Sequence, residues 1–517
     1  MAFFTAALLQ SCHEKSGDFR HSELKLEDYG DLRDSALAID GDAIRKHIRS
    51  FVRADRDSLQ ADAELRAFYA SDHRFLWINR LGVTSQADTL LSRLSEVGKM
   101  GFNPQQFCVP QITDDLESLR SLQFGGRQKS LNYLLAHVEY SLTKAFLRYV
   151  TGQNFGFTNP RYVLNHFDVK KQDSAHVEYH RLFDIPMSRP DKLFFEKARQ
   201  MITRDSLGAF LASVQPQSDL YEKIQTLIGS DSVQYYGKSK LLCNMERCRW
   251  KLKDRPDGHR KYVLVNIPAF SLYAVDGDSV LTMRIGCGTV TTKTPLLTSR
   301  IKRMDVNPQW IIPRSIVEKD VIRHVGNQNY FDSHHYFVRN RTTGKRIPVE
   351  DVTRGMLMDR DYLVIQEGGA GNSLGRIVFR FDNNFSVFLH DTSSPAFFSH
   401  ENRGVSHGCV RVQRPFDLAV FLLKDKDETL IDRINYSMNA DVSSLGSGRR
   451  KFQSPSENVA DTLDRSRLIS SYMLDEEVPV FLTYFTLYPD AHGSLCKYDD
   501  VYGYDKVIYN QLKPYVE

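Results

Sequence analysis

The feature that most constrains the fold is a change of hydrophobic period at Arg255-Pro256-Asp257-Gly258. From Asp55 to about Trp250, apolar residues recur three and four apart, the spacing of helix faces. Leu131, Leu134, Leu135, Val138, Leu142, Phe146, Leu147 and Val150 trace a stripe on one long helix. Leu90, Leu91, Leu94, Val97 and Met100 trace a second, ended by Gly101 and Pro104, and 220–228 is a third after Pro216. Beyond Gly258 the period is two, and 262–267, 279–286, 376–381 and 385–390 read as strands rich in Val, Ile, Phe and Tyr. The expected class is α+β, with a helical N-terminal scaffold followed by a mostly-β domain.

Within the β part, 313–375 is longer than a compact fold needs for a connection, which predicts an inserted lid. Residues 415–424 read as a helix with Pro415 at its first position. Residues 478–487 predict a late strand and 497–517 a Tyr-rich tail that packs back, after an exposed loop over 443–457. The expected division is a leader (1–12), a polar tether and first helix (13–54), a helical scaffold (55–255), a sheet domain (256–442) and a C-terminal loop, strand and tail packing on the scaffold (443–517). No internal repeat is visible.

A length of 517 residues predicts about three structural units. Hydrophobic residues at 41% and charged residues at 26% exclude a disordered or fibrous chain. A net charge of +4 is too small a surplus for a protein built to hold nucleic acid. The 7 cysteines are odd in number and scattered, so no disulfide framework is expected. Cys243 and Cys248 lie close together, but with no His or Cys pair at zinc spacing elsewhere they read as packing residues; neither metal nor cofactor is expected. No run reaches the roughly 18 apolar residues of a membrane span. The apolar stretch 2–9 leads into Leu9-Gln10-Ser11-Cys12 and then a polar run, which resembles the end of a bacterial lipoprotein leader. Cys12 would then carry a lipid anchor, the one contact with a membrane.

The chemistry concentrates between residues 385 and 412. In Phe385-Ser386-Val387-Phe388-Leu389-His390, Val387 and Leu389 share one face and Phe388 and His390 the other, and turn chemistry at Asp391-Thr392-Ser393-Ser394-Pro395 ends the strand. Ser406-His407-Gly408-Cys409-Val410-Arg411-Val412 follows, with Val410 and Val412 inward and Cys409 and Arg411 opposite. A thiol near pKa 8.5 is mostly protonated at neutral pH, so a nucleophilic Cys409 needs an imidazole, from His390 or His407. Gly408 lets a carbonyl approach the backbone, where its N–H and that of Cys409 would form an oxyanion hole. Asp391, by its side chain or backbone, would fix the imidazole tautomer.

At these residues the chain resembles the L,D-transpeptidases with a YkuD-type catalytic domain, whose signature is His, about fifteen residues, then Ser/Thr-His-Gly-Cys. Asn244-Met245-Glu246-Arg247, Val265-Asn266-Ile267-Pro268-Ala269-Phe270, Asn307-Pro308-Gln309-Trp310 with Pro313 and Ser315, and Asn372-Ser373-Leu374-Gly375-Arg376 resemble the large scaffold-bearing branch, often called YcbB-like. Phe68-Tyr69 and Leu76-Trp77 are similar to its scaffold. The resemblance implies that Cys409 attacks the L,D-bond between diaminopimelate and D-Ala of a peptidoglycan tetrapeptide stem, and that the amine of a second stem takes up the thioester in a 3-3 cross-link. His390 would be general base and acid, His407 and Gly408 would shape the oxyanion region, Ser406 would contact substrate, Arg411 would touch substrate or a residue behind it, and Trp310 reads as either a core aromatic or a cleft wall that meets substrate. It also implies a periplasmic location and acylation of Cys409 by carbapenems. The chain departs from the branch in three places. Only about a dozen residues separate Ile228 from Leu241, where a peptidoglycan-binding module is common; Cys248 replaces a Trp; and Val410 precedes Arg411 where smaller relatives have Arg-Asn.

Other motifs read more simply. Gly368 to Gly375 lacks the Lys-Ser/Thr of a phosphate loop and reads as a turn or lid edge, His334-His335 as a surface pair, and 339–346 as a solvated basic loop that acidic stems would suit. Competing functions are an L,D-carboxypeptidase, in which water replaces the amine, a non-catalytic wall scaffold, and a papain-like protease, which would place its Cys before its His.

Overall fold

The computed structural model describes residues 39–517 except 72–73, 80–81, 122–129, 173–175, 205, 441 and 443–462. The leader with Cys12, and the loop expected over 443–457, lie outside the described residues. The chain forms two compact units. One holds the described residues up to Thr158, Arg189–Lys251 and Asn510–Glu517; the other holds Asn159–Ser188 and Leu252–Tyr509.

The first unit is built around the helix Leu131–Phe155, capped by the Ser130 hydroxyl on Tyr133 N–H (3.3 Å). The apolar stripe is only part of its contact surface: Ala136, Thr143 and Tyr149 are also fully buried, because Gly41–Ala54, Gln60–Ala70 and Val109–Arg120 pack around it. Glu139, in its middle, accepts from Tyr69 Oη (2.7 Å) and from the backbone N–H groups of Leu76 (2.6 Å) and Trp77 (2.8 Å). Burial pushes this carboxyl up to about 7, against the pull of those donors. Tyr69, Leu76 and Trp77, singled out by resemblance, are thus its partners.

The Asn-Met-Glu-Arg motif lies on the helix Lys238–Arg249, where Glu246 and Arg249 have fully buried side chains 3.6 Å apart. Glu246 accepts from Thr158 N–H (2.7 Å) and Oγ1 (2.9 Å), while the Arg249 guanidinium lies over Phe102, Phe157 and Tyr221. Asn103 N–H donates to Tyr515 O (2.8 Å), so the last residues of the tail belong to this unit.

The second unit is a closed eight-stranded sheet: β1 (Lys261–Asn266), β2 (Ser271–Asp276), β3 (Ser279–Gly288), β4 (Leu296–Val306), β5 (Ile377–Phe381), β6 (Leu389–His390), β7 (Val410–Val412) and β8 (Ser471–Thr483). The order is β5-β6-β7-β3-β2-β1-β8-β4, and β4 pairs back onto β5. Fully buried Val263, Val265, Ala274, Ile285, Ile301, Phe379, Leu389, Val410, Val412, Val480 and Leu482 fill its interior.

Three expectations are corrected here. Residues 159–188 are not continuous helical scaffold: they belong to the second unit and hold three short strands, of which Phe183–Asp184 pairs with β4 at Leu296 and Leu297. The late strand is no appendage on the scaffold, because its near-continuous apolar run is buried between β1 and β4. The strand over 385–390 shrinks to Leu389–His390, since Ser386 has φ +54° and Asn383 Oδ1 ties down the N–H groups of Phe385 and Val387.

The insertion is a small subdomain. Trp310–Ile311, Tyr362–Gln366, Tyr336–Asn340 and Arg346–Ile347 form an antiparallel sheet over a core that includes Val317, Val321, Phe331, Val338 and Val364. Its return arm, 368–375, is a pinned turn: Asn372 is buried and donates to Glu367 O (2.7 Å) and Pro308 O (3.1 Å). His334 packs on the Tyr330 ring at 4.2 Å.

Candidate active site

Strand register assembles the site. β6 and β7 pair in parallel with Leu389 opposite Val410 and His390 opposite Arg411. Because Leu389 and Val410 fill the interior, alternation turns Phe388, His390, Cys409 and Arg411 to the outer face. The pairing of His390 with Val378, and of Arg380 with Arg303, carries the same face across β5 to β4. A cleft of ≈ 700 Å³ lies along this face, lined in part by Phe388, Arg380, Arg303 and Met473.

Cys409 is half-buried, its Sγ 3.8 Å from the Ser386 carbonyl. Burial raises its thiol pKa, partly offset by the Phe388 backbone and by the positive charges of Arg380 and Arg411. His390 is 3% exposed. Its Nδ1 lies 2.5 Å from Asp391 O, an arrangement in which Nδ1–H donates and Nε2 keeps the lone pair. Burial first, and Arg411 second, hold the imidazole down at about 4. The resting pair at neutral pH is therefore neutral thiol and neutral imidazole.

The Asp391 carboxylate does not touch the ring. It accepts from Arg376 N–H (2.7 Å), and it is the Asp391 backbone that meets His390. Gly375, at φ +67°, lies so close to Asp391 that a Cβ there would be 2.5 Å from its side chain. Gly408 has φ +116°, a backbone state that favours glycine, and its N–H donates to Ser406 Oγ (3.1 Å). The Gly408 amide is thus committed within the turn, which leaves the oxyanion reading to Cys409 N–H. Ser406 Oγ donates to Cys409 O (2.5 Å), so Ser406 shapes the turn from inside. His407 points outward and is exposed. Arg411 is half-buried, its guanidinium over Phe397 at 5.5 Å. Trp310 packs on the core of the insertion.

Sequence reasoning missed the supports of this turn. Thr294 Oγ1 donates to Gly408 O (2.8 Å), Thr292 Oγ1 to Ser406 O (2.8 Å), and Tyr502 Oη to Gly288 O (2.7 Å). Scattered Thr and Tyr residues far apart in the chain carry no local pattern that would have flagged them. Among the described residues no group of three or more His, Cys, Asp or Glu is gathered to hold a metal ion, and no helix is long and apolar enough to cross a membrane.

The second unit is thus a closed sheet whose register puts Cys409 and His390 on one face. Residues 260–431 match the YkuD family, the L,D-transpeptidase catalytic domain, and residues 63–227 match the Scaffold domain. The chain carries an L,D-transpeptidase catalytic domain of the YkuD family preceded by a Scaffold domain. It is similar to a Haemophilus influenzae protein described as "Putative L,D-transpeptidase", 26% identical over 325 residues. That stretch is 62% of this chain and 60% of the relative, so the chain spans less than two thirds of the relative's length.

Proposed function

We propose that the protein is a peptidoglycan L,D-transpeptidase that forms 3-3 cross-links through a Cys409 acyl-enzyme. The observation that carries this reading is the common outer face of Cys409, His390 and Arg411, set by the β6–β7 register. Sγ attacks the carbonyl carbon between diaminopimelate and D-Ala while His390 Nε2 takes the thiol proton. His390 then gives the proton to the departing amine, D-Ala leaves, and a thioester remains. The side-chain amine of a second stem attacks it, His390 receives the amine's proton, and the thiolate is released and reprotonated. Arg411 and Arg380 stabilise the negative sulfur, and Cys409 N–H faces the developing oxyanion. Such an enzyme works in the periplasm, where a lipid on Cys12 would hold it near the wall.

The test is incubation with disaccharide-tetrapeptide followed by mass spectrometry. A dimer lacking one D-Ala is the expected product; tripeptide alone would make the protein an L,D-carboxypeptidase. In parallel, meropenem should add its mass to the intact protein at Cys409. No adduct on a folded, reduced protein would favour a non-catalytic wall protein.

The depressed His390 pKa sets a pH signature. The ring is a competent base wherever it is unprotonated, so kcat/KM should hold down to about pH 5 and fall through the region near 4 instead of near 6.5. Removing the Arg411 charge (Arg411→Gln) should move that acid limb upward. A profile that does not respond to Arg411→Gln, or an acid limb at 6.5 in the unchanged protein, would detach His390 from the base role.

A further inference from the structure

The segment 159–188, which belongs to the sheet unit, builds a second pocket of ≈ 500 Å³. Arg161, Tyr162, His166 and Arg181 line it together with Asn384 and Phe385. Its wall is sewn together by the Asn165 side chain, which accepts from Leu182 N–H (2.7 Å) and Phe183 N–H (2.9 Å) and donates to Phe183 O (3.0 Å). Tyr162 is 62% exposed, its ring 4.4 Å from that of His166. Neither Arg161 nor Arg181 has an ion pair among the described residues. The one carboxylate lining the pocket, Asp184, already accepts from Asn384 Nδ2 (3.1 Å).

The pocket adjoins the larger cleft, and neither lining includes Cys409 or His390 itself. Asp184 and Asn384 also line the larger cleft, and Phe385 directly precedes Ser386, whose carbonyl meets Cys409 Sγ. Two unpaired guanidiniums suit a carboxylate, and the bare Tyr162 ring suits an apolar body attached to it. Resting on the acyl-transfer reading above, we propose that this pocket binds a free carboxylate of a peptidoglycan peptide stem, gripped by Arg161 and Arg181 with the stem lying on Tyr162. The Scaffold-matched part of the sequence thereby supplies substrate-binding residues to the catalytic unit.

Full-length protein carrying Cys409→Ala, which binds without turnover, is titrated calorimetrically with disaccharide-tetrapeptide and with the same compound amidated at its carboxylates. Adding Arg161→Gln and Arg181→Gln should weaken tetrapeptide binding about tenfold. The amidated compound should bind both proteins equally weakly, and added salt should weaken only the tetrapeptide complex of the arginine-bearing protein. Both arginines are exposed, so melting curves should coincide. An unchanged Kd, or no binding of the tetrapeptide at all, overturns the proposal. Intact-mass detection of acyl-enzyme on the Cys409 protein reports separately on the acyl-transfer reading. Acyl-enzyme with an arginine-independent Kd removes the pocket and keeps the reading; arginine-dependent binding with no acyl-enzyme does the reverse.

Discussion

Replacing Cys409 with Ala is expected to lower cross-linking and acyl-enzyme formation by a factor on the order of 10³ or more while leaving the protein folded. The thiol is half-buried on the outer face of the sheet, and its side chain fills no part of the interior. The loss of one sulfur there should change stability by about 1 kcal/mol or less. The other buried thiol of this unit, Cys287, lies inside and is pushed up to about 11 by burial, so it offers no substitute nucleophile. Activity and melting temperature measured on the same preparation check this. Retention of more than a few per cent of activity by Cys409→Ala would sink the nucleophile assignment, whereas a large drop in melting temperature would make the lost activity uninformative and shift the test to Cys409→Ser.

The second large effect is on stability. Glu246→Ala should destabilise the helical unit by about 3–5 kcal/mol, because it leaves the Arg249 guanidinium buried without its carboxylate and strips Thr158 of its acceptor. The aromatic rings around Arg249 offset part of this but cannot replace a charge. Replacing both partners, with Glu246→Leu and Arg249→Met, should recover much of the loss, since no uncompensated charge then remains. Denaturant midpoints for the single and double variants decide it. Equal destabilisation by both would mean that Glu246 acts through packing alone.

His390 adds a pH dependence to stability whose sign follows from its depressed pKa. Above about pH 6.5 the ring is neutral in both folded and unfolded chains and costs nothing. Between 6.5 and about 4 the unfolded chain takes up a proton that the folded one refuses, so stability falls as pH drops through that window.

Local chemistry was legible wherever spacing encodes it. The change of period at 255–258 separates helices from strands, Gly101 ends the helical run from 86 to 100 in the left-handed conformation its lack of Cβ allows, and alternation alone puts Cys409 and Arg411 opposite Val410 and Val412. The spacing of His390 from Ser406-His407-Gly408-Cys409 singles out the pair proposed here to react. Tertiary structure decided what spacing does not encode. Which strands become neighbours depends on closing the sheet, so the placement of β8 beside β4 and the transfer of 159–188 to the catalytic unit could not be read from local periodicity. The protonation states of Cys409 and His390 depend on burial and on the Arg380 charge, which arise only when distant segments pack together, as well as on the nearby Arg411. Arg161 and Arg181, 20 residues apart in the chain, line one pocket only in the fold, with no ion pair to either among the described residues.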